Sequence, residues 1–145
     1  MTAYIQALPT PPRLNNFGVC DDIRLEQLGK FTFIGYYGRS IRVATLPTVF
    51  PKLSFFASFS YFSEPEVVSV RLTSPSGVSL LAADNVRLMI APEFPGTPLE
   101  FRENILVFHI VPMPLNEPGE YRVLVEFAET RALASFFVGS IEPLR

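Results

Sequence analysis

Chemistry in this chain, if there is any, begins with the run Cys20-Asp21-Asp22-Ile23-Arg24-Leu25-Glu26 and the nearby Lys30, the only dense polar group in the sequence. On an extended backbone alternate side chains share a face, so Asp22, Arg24 and Glu26 form one stripe. Arg24 offers that stripe a planar fork for a carboxylate or a phosphate. The plainer reading, a solvent-facing ladder of ion pairs each contributing little, carries more weight because structural charge networks are common. Asp21 and Asp22 point to opposite faces of a strand and share no ligand sphere unless a bulge intervenes.

His109 is the single histidine and falls inside the most apolar strand-like segment. A lone imidazole there reads as a core or interface residue bonded to backbone rather than as a general base. Cys20, the single cysteine, has no sequence-identifiable catalytic partner except His109, and two adjacent aspartates oppose a reactive thiolate. It reads as a small buried hydrophobe. The serines show no nucleophile-elbow pattern, and neither a phosphate-cradling glycine loop nor paired-cysteine zinc spacing occurs. No catalytic residue, metal or cofactor is expected, and a hydrolase using Cys20 and His109 ranks last among the readings.

The elements that must position these residues are strands. Leu53, Phe55, Ala57, Phe59 and Tyr61 alternate with Ser54, Ser58 and Ser60, the pattern of a half-buried strand. Glu120, Arg122 and Glu126 alternate with Tyr121, Val123, Val125 and Phe127, which requires one wet face. Asn104 to Val111 is apolar on both phases, as in a strand covered on both sides. Phe31 to Tyr36, Glu66 to Thr73, Val86 to Ile90 and Arg131 to Val138 complete seven or eight short strands, spaced as in a sandwich or barrel. Asp22 to Gly29 could frame a short helix, but Phe17, Val19, Ile23 and Leu25 share one strand phase and favour a hairpin with Phe31 onward. Asp21 then falls on the apolar phase, a sign of a bulge.

Fourteen prolines stand mostly between these segments, where they stop helices and cap sheet edges. After the Pro118-Gly119 turn, Tyr121 opens a strand, which resembles the tyrosine corner of immunoglobulin-like and fibronectin-like sandwiches. Without a Cys-Trp-Cys framework, antibody-type membership is excluded. The expected fold is thus an all-β, immunoglobulin-like antiparallel sandwich with little or no helix. Residues 1–14, with Pro9, Pro11 and Pro12, read as an extended arm, and residues 15–145 as one domain. Pro9 to Arg13 contains a PxxP pattern whose bland reading is a stiff arm, and Pro92 to Pro98 reads as a surface loop.

The chain has 145 residues, 12 Lys plus Arg against 14 Asp plus Glu, and 48% hydrophobic residues. That content excludes intrinsic disorder. Scattered basic residues leave no footprint for a nucleic-acid backbone or an anionic bilayer, and no apolar run reaches the ~20 residues needed to span a membrane as a helix. A single cysteine and an N-terminus without a signal-peptide pattern lead to the expectation of a cytoplasmic protein.

Fourteen phenylalanines and five tyrosines are hard to hide, although core packing should absorb most of them. Phe55-Phe56 and Phe136-Phe137 each send one ring to either sheet face, so a partner or a second layer should cover the outer one. Cys20-Asp21-Asp22-Ile23-Arg24, Glu26, Gly29-Lys30, Phe33-Ile34-Gly35 and Tyr36 resemble the opening signature of a family of small, functionally uncharacterised proteins of bacteria and their phages. That resemblance implies a bacterial or phage-infected cytoplasm and assigns no activity. The expected function is non-enzymatic protein binding through aromatic surface and the stripe Asp22, Arg24, Glu26 and Lys30, possible modulation of a host protein being a special case. The alternative is a structural or assembly component that forms homo-oligomers. Tyr121 and Gly119 are expected to be structural.

Overall fold

The computed structural model describes residues 13–27, 30–60, 67–87, 89–90, 98, 103–127 and 131–141. Its elements are β1 (Arg13–Leu25), β2 (Phe31–Gly38), β3 (Ser40–Val43), β4 (Thr48–Phe50), β5 (Leu53–Ser60), β6 (Val67–Thr73), β7 (Ser79–Arg87), β8 (Met89–Ile90), β9 (Glu103–Ile110), β10 (Met113–Leu115), β11 (Gly119–Glu126) and β12 (Arg131–Ser140). One five-stranded sheet has the order β2-β1-β5-β9-β8, the other β3-β12-β11-β6-β7, and β4 and β10 form a small ribbon. All pairings are antiparallel except β3 beside β12.

This is an all-β sandwich with an immunoglobulin-like strand order. Read along the chain, β1-β5-β9-β8 reproduces the A-B-E-D sheet and β12-β11-β6-β7 the G-F-C-C′ sheet of that fold. β2 lies outside this set. It is an additional strand hung on the edge of β1, after which the chain crosses to β3 in the second sheet.

Alternation drives the layers together. Tyr121, Val123 and Val125 of β11 are buried while Glu120, Arg122 and Glu126 are exposed. Val68, Val70 and Leu72 of β6 repeat the pattern. They meet Phe17, Val19, Phe55, Phe59 and Leu106 from the first sheet in one core. Phe55 and Tyr121 close on Phe136 from opposite layers, with ring centroids 5.6 Å and 5.2 Å away. Each such buried ring contributes about 1.5–3 kcal/mol relative to exposure.

Several expectations need correction. The strands number more than seven or eight, because short pieces such as β3, β4 and β10 carry too few residues to show a period. Val86 to Ile90 is not one strand: Val86 and Arg87 finish β7, and Met89 and Ile90 cross to the first sheet as β8. Ser79 to Asp84 gave little alternation to announce β7, and Asn85 (φ 57°) adds an irregularity. β9 is covered on one side only, with Asn104, Leu106 and Ile110 buried, Ile105 and Val107 half-buried and His109 exposed on the other. β1 begins at Arg13, so Arg13 and Leu14 belong to the sheet rather than to an arm, paired with Ser60 and Phe59.

The first hairpin forms in place of a helix, with a register shift against β2 at Val19/Cys20, and Asp21 beside the shift is exposed. The rest of the arm, the Leu28-Gly29 turn, the Ala128–Thr130 turn, the strand ends at Tyr61, Phe62 and Glu66, and the Pro92 to Pro98 loop apart from Pro98 lie outside the described residues. No described helix is long and apolar enough to cross a membrane.

Candidate functional site: the outer face of the first sheet

Cys20, Ser54 and His109 stand in one row across β1, β5 and β9, because Ser54 is the register partner of both of the others. Ser54 Oγ and His109 Nδ1 are 2.6 Å apart. His109 is therefore bonded to a side chain on an exposed strand face, rather than to backbone as expected of a core or interface residue. Partial burial of the ring and the nearby Lys52 charge hold the imidazole below its ordinary pKa, against a smaller opposing effect of Asp22, so it is neutral at pH 7.

The row has the composition of a nucleophilic site without its access. Cys20 and Ser54 are both fully buried. Burial, reinforced by Asp21, pushes the Cys20 thiol up to about 11, so it stays protonated at neutral pH. Neither Cys20 nor Ser54 is exposed to solvent in this arrangement.

Beside the row the polar stripe closes on itself. Asp22 accepts from Lys52 Nζ at 2.5 Å, from Arg24 Nε at 3.1 Å and from the Ile23 N–H at 2.9 Å. The Lys52 and Arg24 bonds are the main reason its carboxyl falls from 3.8 to about 2. Glu26 accepts from Thr32 Oγ1 at 2.9 Å, and its N–H bonds the Lys30 carbonyl at 2.7 Å. The Lys30 side chain is exposed, with no ion pair among the described residues. Asp21 leaves this group altogether. It accepts from the Tyr37 hydroxyl and fills the space above Gly35, whose φ of +63° and missing side chain both suit the approach. The two adjacent carboxylates thus have separate partners, and no group of three or more His, Cys, Asp or Glu among the described residues is arranged to hold a metal ion.

The larger part of the face is aromatic. Gly18 leaves a gap on β1 into which two rings settle: a Cβ there would stand 2.6 Å from both Phe56 and Tyr36. Phe33 packs on Phe56 with centroids 4.5 Å apart, and Tyr36 lies at 6.2 Å. Even so, Leu25 is 59%, Phe33 42%, Ile34 38% and Tyr36 61% exposed. An apolar patch rimmed by tied-up charges is the usual form of a contact surface. The second sheet differs. Leu133 and Phe137 are exposed there, but among Glu120, Arg122, Glu126 and the Arg71–Asp84 pair at 2.7 Å.

The doubled phenylalanines send rings both ways: Phe55 and Phe136 are buried, Phe56 is half-buried and Phe137 exposed. Sequence reasoning did not find Phe33, Ile34 and Tyr36 as surface. Phe31 to Gly38 is an apolar run without charge, which resembles a covered strand, and only its place outside the core set of strands uncovers it.

Tyr121 and Gly119 work at the opposite sheet. The phenol donates to the Glu117 carbonyl at 2.8 Å, four residues upstream, which is the geometry of a tyrosine corner. Gly119 takes φ +129° with Pro75 against it, a conformation closed to other residues. Glu117 also accepts from the Ser76 N–H at 2.8 Å and Oγ at 2.7 Å, which fastens the corner to the turn between β6 and β7.

Among known proteins, the family model described as "Family of unknown function (DUF6941)" matches residues 16–136. No curated protein and no solved structure matches the chain.

Proposed function

Because the chain belongs to this family of unknown function, whose match spans both sheets, we propose from its geometry that it is a non-enzymatic protein-binding module. The outer face of the first sheet is its contact surface. One observation carries the reading: Phe33 and Tyr36 are exposed around Phe56, on a sheet where Asp22 is already paired with Arg24 and Lys52. Aromatic anchors of this kind dominate binding energy when a partner desolvates them. Arg24 and Lys30 at the rim would set orientation and association rate more than affinity. The sealed Cys20 and Ser54 support contact rather than turnover.

The partner in this reading is a protein of a bacterial or phage-infected cytoplasm, with modulation of a host protein as the special case. The test compares capture by the wild type, by Tyr36→Asp and by Arg122→Glu on the opposite sheet. A stoichiometric partner held by wild type and Arg122→Glu but lost with Tyr36→Asp supports the assignment. A partner that survives Tyr36→Asp, or the absence of any stoichiometric partner, contradicts it.

A further inference from the structure

On the second sheet, Phe136 of β12 points into the core, so its neighbour Ser135 faces outward. Strand pairing puts Arg122 of β11 directly across from Ser135 on that outer face. From the other side comes Arg39, in the turn before β3. Its Nε donates to the Ser135 carbonyl at 3.0 Å and its Nη2 to Ser135 Oγ at 3.2 Å. The Arg39 carbonyl in turn accepts from the Phe137 N–H at 2.8 Å. Residues 39, 122 and 135, far apart in the chain, are thus brought to one hydroxyl by the order β3-β12-β11.

This pair of arginines differs from ordinary surface charge. Arg39 is fixed at both ends by main-chain bonds and by a hydroxyl, not by a carboxylate, and its Nη1 is unused among the described residues. A side chain ordered in advance loses less rotamer freedom when it binds something. Arg122 has one ion pair among the described residues, Nε to Glu120 Oε1 at 4.0 Å with both side chains largely exposed, a contact that contributes little. Its Nη groups make no hydrogen bond among those residues. Arg71 on the same sheet shows the contrast: its fork is taken up by the carbonyls of Val70 and Ala83 and by Asp84. Ser135 Oγ accepts from Arg39, which leaves its own proton to donate outward.

We propose that Arg39, Arg122 and Ser135 bind the phosphate group of a small phosphomonoester. Convergent N–H and O–H donors complement an oxyanion, and a planar guanidinium grips phosphate through two parallel bonds. Glu120 stands across from Phe137 and repels an anion on that side. On the other side of Ser135 lie Leu133 and its partner Leu124, both uncharged and Leu133 62% exposed. The apolar body of the ester lies over these leucines. This site is on the sheet opposite the proposed partner surface and does not depend on it.

The test is a titration of the purified, nitrogen-15-labelled chain at pH 8, above the second phosphate pKa of about 6 for a monoester. Inorganic phosphate and phenyl phosphate are the probes, and sodium chloride of equal ionic strength is the blank. Saturable shifts of the residue 39, 122 and 135 signals are expected, with phenyl phosphate binding more tightly than inorganic phosphate. Arg39→Gln and Arg122→Gln should each weaken phenyl phosphate about tenfold, as the loss of charge-assisted bonds implies. Arg131→Gln, which removes an exposed arginine from the same strand, should leave affinity unchanged; amide spectra that match the wild type away from each substitution establish that the variants are folded. Shifts no larger than those in chloride overturn the proposal. So does a loss in Arg131→Gln equal to that in Arg122→Gln, which would reduce the effect to net charge. Equal affinity for the two probes assigns the site to a free phosphate ion and overturns the ester.

Discussion

Tyr121, His109 and Cys20 each contribute through a single atom. Tyr121→Phe removes the hydroxyl that satisfies the Glu117 carbonyl and keeps the ring in place against Phe136. It should cost about 0.5–1.5 kcal/mol in urea unfolding, the net worth of one such bond. His109 has a folded pKa below its ordinary 6.5, so the folded state binds the proton more weakly than the unfolded chain does. Stability should therefore fall as pH drops from about 6.5 toward the lowered value, and His109→Gln should flatten thermal unfolding across that window. For Asp22 the depressed pKa works lower: its contribution is present above the ordinary carboxylate value of 3.8 and is lost as pH falls through about 2. Cys20, sealed and protonated, should resist iodoacetamide in the native chain at pH 8 and react fully in urea, as read by mass spectrometry. The sequence identified Cys20 as buried filler. Of the two places read for His109, core or interface, only the core is overturned, because an apolar run such as Asn104 to Val111 does not reveal which of its faces lacks a covering layer.

At the scale of elements, β1 and β5 show what periodicity reveals and what it hides. Phe55 and Phe56 are neighbours with opposite fates, one stacked on Phe108 in the core at 4.8 Å, the other against Phe33 outside. Phe55→Ala should cost about 3–5 kcal/mol, the range for a lost core ring, and Phe56→Ala clearly less, since its site is open to water; denaturant midpoints at equal slope distinguish them. Gly18→Val should displace the Phe56 and Tyr36 rings from the sheet, which near-ultraviolet circular dichroism registers while the far-ultraviolet β signal persists. The hairpin of β1 and β2 was legible from the shared phase of Phe17, Val19, Ile23 and Leu25, although Leu25 ends exposed, and Asp21 on that phase signalled the bulge at Val19/Cys20. The charge stripe was legible as a set of neighbours, but its closure was not. Lys52, 30 residues from Asp22, completes it only through the pairing of β1 with β5.

For the whole molecule, alternation, prolines between strands and the Pro-Gly-Tyr corner were enough to read a sandwich. Periodicity says which face of a strand is apolar, whereas strand order says what lies over it. β2 is the case where the two disagree, since an apolar strand outside the A-B-E-D set keeps its side chains in water. The proposed partner surface uses that mismatch through its aromatic face. The most direct test is photo-crosslinking in cells that make the protein, with a benzophenone side chain at position 36 on the first sheet or at position 133 on the second. Discrete protein adducts are expected from position 36 and none from position 133. Adducts from position 133 alone, or in equal yield from both, would contradict it.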